Sequence, residues 1–175
     1  MNKFEKVSFE QYAKSIGGDV DLHTEYNDIK LPKRATTGSA GYDFFAPFSF
    51  ELEVGETIKI PTGIRVLLDN DKFLAIYPRS GLGFKYRLQL DNCVGIVDCD
   101  YSHSDNEGHI FIKITNDGRE GKTISIKQGE AFAQGIITQF FKTVDDETDG
   151  IRNGGFGSTN VPSQRGNGAL GSSGK

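Results

Sequence analysis

The chain has 175 residues and a mass of 19.2 kDa, the size of one ordinary domain, and 36% of its residues are apolar. A net charge of −4 and a pI near 5.4 argue against a nonspecific nucleic-acid binder, which needs a basic field. No apolar run approaches the roughly 18 residues of a membrane helix, and the charged N-terminus resembles neither a secretory signal nor a transit peptide. We therefore expect a soluble, cytoplasmic protein with no membrane partner and no direct contact with nucleic acid.

The first predicted element is a short amphipathic helix over residues 8–16. Ser8 and Gln11 have the spacing of a capping box, and a glycine pair at residues 17–18 follows the last apolar residue. Apolar residues recur at helical spacing, at Phe9, Tyr12, Ala13 and Ile16. The apolar face predicts that this N-terminal extension, residues 1–20, docks on the main body.

From residue 28 onward the apolar period changes to two, which is typical of strands. The alternating positions are Phe48, Phe50, Leu52, Val54, Ile58, Ile60, Ile110, Ile112, Ile114, Ile124 and Ile126. Turn-forming residues separate these runs at 61–63, 69–71, 116–118 and 127–129. Short strands at this spacing predict an all-β sandwich or barrel in a single domain, with its core over residues 28–142.

The two cysteines and the C-terminal glycines carry separate predictions. Cys93 and Cys99 have neither a partner pair nor the histidines of a zinc site nearby, so we expect buried, reduced thiols. Eight of the 22 glycines fall within residues 150–175, a composition that predicts a mobile C-terminal arm.

Five short stretches mix glycine with polar side chains in a chain that otherwise alternates. They are residues 40–43 (AGYD), 78–83 (PRSGLG), 92–101 (NCVGIVDCDY), 129–134 (GEAFAQ) and 154–159 (GGFGST). In order and spacing they resemble the five motifs of the trimeric dUTPases, over residues 31–159. The resemblance implies a β jelly roll, a homotrimer whose sites are shared between subunits, and Mg²⁺-dependent hydrolysis of dUTP to dUMP and pyrophosphate. Such an enzyme keeps uracil out of DNA and supplies dUMP for thymidylate synthesis.

The third stretch is the predicted base-binding segment. Gly95 lets a ligand approach the backbone closely, so a planar base can pair with the main chain of a short strand or hairpin. The resemblance implies that Asn92, Gly95, Ile96 and Val97 read uracil in this way. It also implies that Tyr101 packs on the sugar and leaves no room for a 2′-hydroxyl; the alternative is ordinary core packing of Tyr101.

Two carboxylates follow the base-binding segment, and either is a candidate general base. A water that attacks the α-phosphorus must lose a proton, and a carboxylate is ionised at neutral pH. Asp98 and Asp100 are two residues apart, so on a strand they face the same side and alternation does not separate them. The resemblance selects Asp98 as the catalytic residue and leaves Asp100 a structural or interface role. The alternative is that both aspartates only cap turns.

The second and fourth stretches offer donors to phosphate oxygens. Arg79, the Ser80 hydroxyl and the amides around Gly81 can form such a set, although a β-turn with a solvated arginine also fits, and residues 84–87 add positive charge nearby. The resemblance implies that these residues and Gln134 bind phosphate. It places Asp43 as an outer-shell ligand that holds Mg²⁺ through water, with the metal arriving on the nucleotide.

The fifth stretch lies in the predicted arm. Phe156 between glycines can stack on a base, and Gly157 and Ser158 can contact phosphates. The resemblance implies that this segment closes over the nucleotide of another subunit and that Arg152 contacts the terminal phosphate.

The chain departs from the family pattern at three points. Ala131 stands where an arginine is usual, residues 102–107 lengthen the loop after Tyr101, and Arg152 is one residue nearer Phe156 than usual. Two rivals remain: a dCTP deaminase, which shares the fold but not the DCDY run at residues 98–101, and a nucleotide-sensing or protein-binding module.

Overall fold

The computed structural model describes residues 1–17, 22–150 and 152, and these residues form mainly strands. The strands are β1 (Lys3–Lys6), β2 (Lys33–Arg34), β3 (Tyr42–Phe45), β4 (Phe50–Leu52), β5 (Thr57–Pro61), β6 (Ile64–Leu67), β7 (Lys72–Pro78), β8 (Leu88–Leu90), β9 (Gly95–Asp98), β10 (Phe111–Asn116), β11 (Ile124–Ile126) and β12 (Ala131–Gln139). The helices are α1 (Phe9–Ile16), α2 (His23–Asp28) and α3 (Ser80–Tyr86), and a 3₁₀ helix spans Cys99–His103. Among these residues, none of the helices is both long enough and apolar enough to cross a membrane.

The strands pair antiparallel in every sheet of the described chain. The largest sheet has the order β2-β3-β12-β7-β9, a second has the order β5-β10-β8, and β1 pairs with β6 and β4 with β11. The all-β fold predicted from the period of two is therefore confirmed, and so is the jelly-roll-like arrangement that the resemblance implied. Among the described residues, strand β9 lies at the edge of the largest sheet, so no described strand pairs with the other side of its backbone.

Inward-facing apolar side chains of the strands build the core. On β10, Ile112 and Ile114 are buried and Lys113 between them is exposed, as alternation requires. Phe44, Leu74 and Phe132 bring the neighbouring strands of the large sheet into the same cluster. At about 25 cal/mol per Å² of buried apolar area, this burial is the main term that stabilises the fold.

The predicted N-terminal helix is confirmed as α1. The Ser8 hydroxyl caps it by accepting a hydrogen bond from the Gln11 amide at 3.1 Å, and Gly17, with φ of 71°, ends it. The Gln11 side chain donates to Ser15 at 3.1 Å instead of returning to the cap. Tyr12 is fully buried in the main core, so the predicted docking of this helix is found.

Three features differ from the sequence-based expectations or lie beyond them. Cys93 is exposed and Cys99 half-buried, so the prediction of two buried thiols is wrong, although both are free. Cys93 lies in a turn with φ of 62°, which takes its side chain out of any strand alternation. The mobile arm predicted over residues 150–175 consists almost entirely of residues 151 and 153–175, which lie outside the described residues. The arm therefore stays a prediction.

Candidate active site

A cavity of about 470 Å³ opens beside the start of β9. Two of the predicted base-binding residues, Asn92 and Gly95, line it, together with Ile76 of β7. A Cβ at residue 95 would lie 3.2 Å from the Ile76 Cβ, so glycine at this position lets the β9 backbone lie close to the Ile76 side chain. Ile96 points outward and Val97 points into the core, so Val97 offers only its main chain to a ligand.

The walls of this cavity also include residues that sequence reasoning missed. Phe111 and Lys59 are among them, with the Lys59 Nζ 4.5 Å from the centroid of the Phe111 ring. Lys113 and Asp91 form an ion pair of 2.7 Å at the rim. Three of these residues lie in strands and Asp91 lies in a turn. No local sequence motif distinguishes them from other strand and turn residues.

Asp98 ends the edge strand β9 with its side chain 48% exposed. It lies three residues beyond Gly95, a separation of about 10 Å along a strand. Asp100 is 49% exposed but belongs to the 3₁₀ helix, so the premise that both carboxylates share one strand is wrong. They nevertheless face the same side, because both contact Arg152.

The Arg152 guanidinium bridges the two carboxylates. Its Nε donates to the Asp100 Oδ1 at 2.9 Å, and its Nη2 donates to Asp98. Its side chain is only 14% exposed, and its guanidinium carbon lies 5.8 Å from the centroid of the Tyr101 ring. The single cation therefore offsets one of the two negative charges of the carboxylate pair from a position over the tyrosine ring.

Tyr101 is buried, with 3% of its surface exposed. Its hydroxyl donates to the His109 carbonyl at 2.9 Å and accepts from the Asn106 side chain at 2.8 Å. Burial raises the pKa of this phenol above its ordinary value, so the hydroxyl stays a neutral donor across the physiological range. Tyr101 therefore packs in the core, as the alternative interpretation predicted. Its ring also lies beside the Arg152 guanidinium that contacts the carboxylate pair.

The predicted phosphate-binding residues form a second cluster at the end of β7. The Arg79 Nε lies 3.1 Å from Asp43 Oδ1, and Arg79 also donates to the Ala131 carbonyl at 3.4 Å. Gln134 pairs with Asp43 across β3 and β12 and donates to the Pro78 carbonyl at 3.0 Å. The structure therefore brings together side chains from three separate sequence stretches.

Ser80 and Gly81 lie at the start of α3 rather than in the β-turn considered for this segment. With Arg79 they line an open cavity of about 650 Å³, whose wall also includes Lys85 and Ala131. Arg79 and Lys85 give this cavity two cations, and Glu130 is its acidic member. A cavity of this composition suits an anionic ligand such as a phosphate chain.

The carboxylate pair and the phosphate cluster lie far apart within one chain. Asp98 pairs with Phe73 near one end of β7, whereas Arg79 follows Pro78 at the other end. At 3.3–3.4 Å per residue, the six steps along the chain from Phe73 to Arg79 span about 20 Å. The base cavity lies between them, because Gly95 pairs with Ile76.

Two further predictions concern the metal and the arm. Within residues 1–17, 22–150 and 152, no three or more His, Cys, Asp or Glu side chains group closely enough to hold a metal ion. The Asp43 carboxylate, which the resemblance assigned to the metal, is a hard oxygen ligand beside the phosphate cluster. Such a site fits Mg²⁺ that takes its direct ligands from phosphates and water. Phe156, Gly157 and Ser158 lie outside the described residues, and their roles stay predictions.

The fold and the site geometry together define a jelly-roll-like β domain whose candidate site is divided between two cavities. Residues 27–165 match the dUTPase family model. The deoxyuridine 5′-triphosphate nucleotidohydrolase of Hahella chejuensis is 43% identical over 141 residues, which cover 76% of this chain and 88% of that protein. This chain belongs to the dUTPase family.

Solved structures agree with the family assignment. The dUTPase from Streptococcus mutans superposes with a TM-score of 0.61 at 30% identity, covering 80% of this chain and 97% of that one. A mutant dUTPase from phage phi11 of S. aureus, which coordinates a structural Mg(II) ion, shares the fold with a TM-score of 0.60 at 18% identity. That match covers 86% of this chain and 97% of the phage protein.

Proposed function

We propose that the protein hydrolyses dUTP to dUMP and pyrophosphate in the cytoplasm, with Asp98 as the general base. The observation that carries this proposal is the placement of Asp98: an exposed carboxylate ends the same edge strand that lines a base-sized cavity at Gly95. The distance of about 10 Å along β9 suits a nucleotide whose base enters the cavity and whose α-phosphate reaches Asp98. The family assignment supports dUTP as the substrate.

Main-chain groups of β9 account for recognition of the base. Within the described part of the chain β9 is an edge strand, so one side of its backbone can pair with the edge of a planar base. A rigid backbone rejects cytosine by donor and acceptor polarity and thymine by the bulk of its 5-methyl group. In this proposal Asn92 adds a side-chain contact and Tyr101 supports the sugar.

Proton transfer requires Asp98 to exchange its partner. The Arg152 guanidinium donates a hydrogen bond to the Asp98 carboxylate and thereby occupies an oxygen that the attacking water needs. The triphosphate offers a competing anion for Arg152. When Arg152 moves to a phosphate, an Asp98 oxygen becomes available to accept a proton from the attacking water.

A second copy of the chain supplies the phosphate cluster in this proposal. With the base at Gly95 and the α-phosphate at Asp98, the phosphate chain points away from the Arg79 of the same chain, which lies about 20 Å from Asp98. Arg79, Ser80, Gly81 and Gln134 must then act on a nucleotide that is held by another copy. A homotrimer with shared sites satisfies this requirement.

Mg²⁺ completes the proposed chemistry. The metal would arrive on the triphosphate, and Asp43 would hold it through water; when bound, it neutralises the negative charge that the phosphates develop. Asp43 pairs with Arg79 at 3.1 Å, so the same cluster would supply both the metal-binding and a phosphate-binding side chain.

The reaction is tested by incubating the purified protein with Mg²⁺ and, separately, dUTP, dCTP, dTTP and UTP, with assays for pyrophosphate and ammonia. We expect pyrophosphate from dUTP alone. Ammonia from dCTP would replace the proposal with a deaminase, and the absence of both products would favour a nucleotide-binding module.

The shared site is tested by mixing two inactive variants. Arg79→Ala and Asp98→Asn damage different clusters, so a 1:1 mixture that has been unfolded and refolded together regains intact sites only if the clusters come from different chains. Random assembly then restores about a quarter of the wild-type activity, the product of two halves. No recovery, with correct assembly shown by light scattering, would place both clusters of each site on one chain.

A further inference from the structure

The longer loop after Tyr101 is organised around the hydroxyl of that residue. Asn106 donates to the Tyr101 hydroxyl at 2.8 Å, and the same hydroxyl donates to the His109 carbonyl at 2.9 Å. The loop folds back tightly, because Gly108 has φ of 72° and a Cβ there would lie 2.6 Å from the Ser102 Cα. These contacts fix one end of the tyrosine ring from within the loop.

The N-terminal segment holds the same loop from outside. The Ser8 amide donates to Glu107 Oε2 at 2.7 Å, and the Ser8 hydroxyl donates to Glu107 Oε1 at 2.5 Å. Ser8 is the N-cap of α1, so the Glu107 carboxylate also lies at the positive end of that helix. One residue before its end, the helix makes a further contact through Ser15, whose hydroxyl lies 3.0 Å from the Nδ1 of the buried His109, just after the loop.

These contacts connect the N-terminal helix to the carboxylate site in a continuous series. The 3₁₀ helix that carries Asp100 and Tyr101 begins directly after Asp98, and the loop that holds Tyr101 is bound to α1 through Glu107. The ring of Tyr101 lies under the Arg152 guanidinium that pairs with both carboxylates. A shift of the loop therefore moves the ring that borders the reacting groups.

We propose that Ser8, Asn106 and Glu107 form a tyrosine brace, which fixes the Tyr101 ring and thereby sets the discrimination between 2′-deoxyribose and ribose. The three are positioning residues, because they act through Tyr101. The proposal rests on the proposed function, since it assigns Tyr101 to the sugar of dUTP. A ring that is held from two sides excludes an added hydroxyl group more strictly than one that is free to tilt.

The test measures kcat/KM for dUTP and for UTP in the wild type, Asn106→Ala and Glu107→Ala. We expect the dUTP/UTP ratio to fall at least about fivefold in both variants, which corresponds to about 1 kcal/mol of lost discrimination. A loss of folded protein scales both rates equally and leaves the ratio unchanged, so the ratio separates positioning from general destabilisation.

Glu5→Gln is the matched control. Glu5 lies in the same N-terminal segment and forms ion pairs with Lys3 at 2.8 Å and Arg65 at 2.7 Å, and neither partner belongs to the loop. We expect this variant to keep the wild-type ratio. If Asn106→Ala is recovered unfolded, Glu107→Ala decides the question.

Unchanged ratios in the folded brace variants would overturn the proposal and leave the proposed function intact. A wild type that releases no pyrophosphate from dUTP would overturn the proposed function, a different outcome that is visible before any variant is made. A ratio that falls equally in Glu5→Gln would also overturn the brace, because the effect would not be specific to the loop contacts.

Discussion

His109 makes the stability of the fold depend on pH. Its ring is fully buried, with the Nε2 accepting a hydrogen bond from the Gly63 amide at 2.8 Å. Because that nitrogen accepts, the neutral ring carries its proton on Nδ1 and donates it to the Ser15 hydroxyl at 3.0 Å. Burial lowers the pKa of His109 from 6.5 to about 4, with Lys59 also lowering it and Glu107 opposing the shift.

The magnitude follows from the difference between the folded and unfolded pKa values. In the unfolded chain His109 has its ordinary pKa of 6.5, whereas in the folded chain its pKa is about 4. The stabilising contribution of the neutral ring is therefore complete above pH 6.5 and is lost as the pH falls through this window. By pH 4 the loss in the free energy of unfolding amounts to about 3 kcal/mol.

Urea unfolding of the wild type and of His109→Gln between pH 7 and pH 4 measures this loss. The glutamine side-chain oxygen can accept from the Gly63 amide but does not titrate, so the variant keeps the acceptor without the proton equilibrium. We expect the wild type to lose about 3 kcal/mol more than the variant over this range. Parallel pH profiles for the two proteins would refute the reasoning, because other titrating groups are common to both.

Two further predictions concern the loop and the arm. Gly108→Ala should lower the free energy of unfolding by at least about 2 kcal/mol, because the new Cβ meets backbone atoms of residue 102 at 2.6 Å in addition to the strain of a positive φ. Gly121→Ala, with φ of 69° and open space, should cost only the strain, and equal losses in urea unfolding would contradict this account. Truncation after Gly150 should abolish most dUTP turnover and spare assembly, since it removes Arg152 and Phe156; full kcat in the truncated protein would exclude a role for the arm.

Periodicity predicted those parts of the fold whose sequence signal is local. The capping pair Ser8 and Gln11 predicted α1, and the isoleucine alternation predicted β10 and β11. Strand β1 was missed because its four residues offer a single buried side chain, Phe4, and its partner β6 lies about 60 residues away. Helix α3 contains Gly81 and Gly83, which disfavour a helix by propensity alone.

The candidate site was predicted as a set of residues, but not as an arrangement. The five motifs identified Asp98, Arg79 and Gln134, yet nothing local reveals that the first lies at the opposite end of β7 from the other two. That separation follows from strand pairing across the sheet. The bridge from Arg152 to two carboxylates likewise joins residues more than 50 positions apart, and no spacing rule predicts such a contact.

The brace and the exposed Cys93 were also beyond sequence reasoning. Residues 102–107 read as a polar loop, and only the folded chain places Glu107 on the cap of α1, 99 residues away. Cys93 follows the apolar pattern of its neighbours, but its positive φ turns it outward. In both cases a turn conformation decides the outcome, and that conformation depends on contacts distant in sequence.

The kinetics of Asp98→Asn test the central claim most directly. Asparagine keeps the size and polarity of the side chain but cannot accept the proton of the attacking water, so kcat for dUTP should fall by about 10²–10⁴-fold. The affinity for a non-hydrolysable dUTP analogue, measured by calorimetry, should stay within about tenfold, because the base cavity at Gly95 is untouched. Turnover equal to that of the wild type would contradict the account.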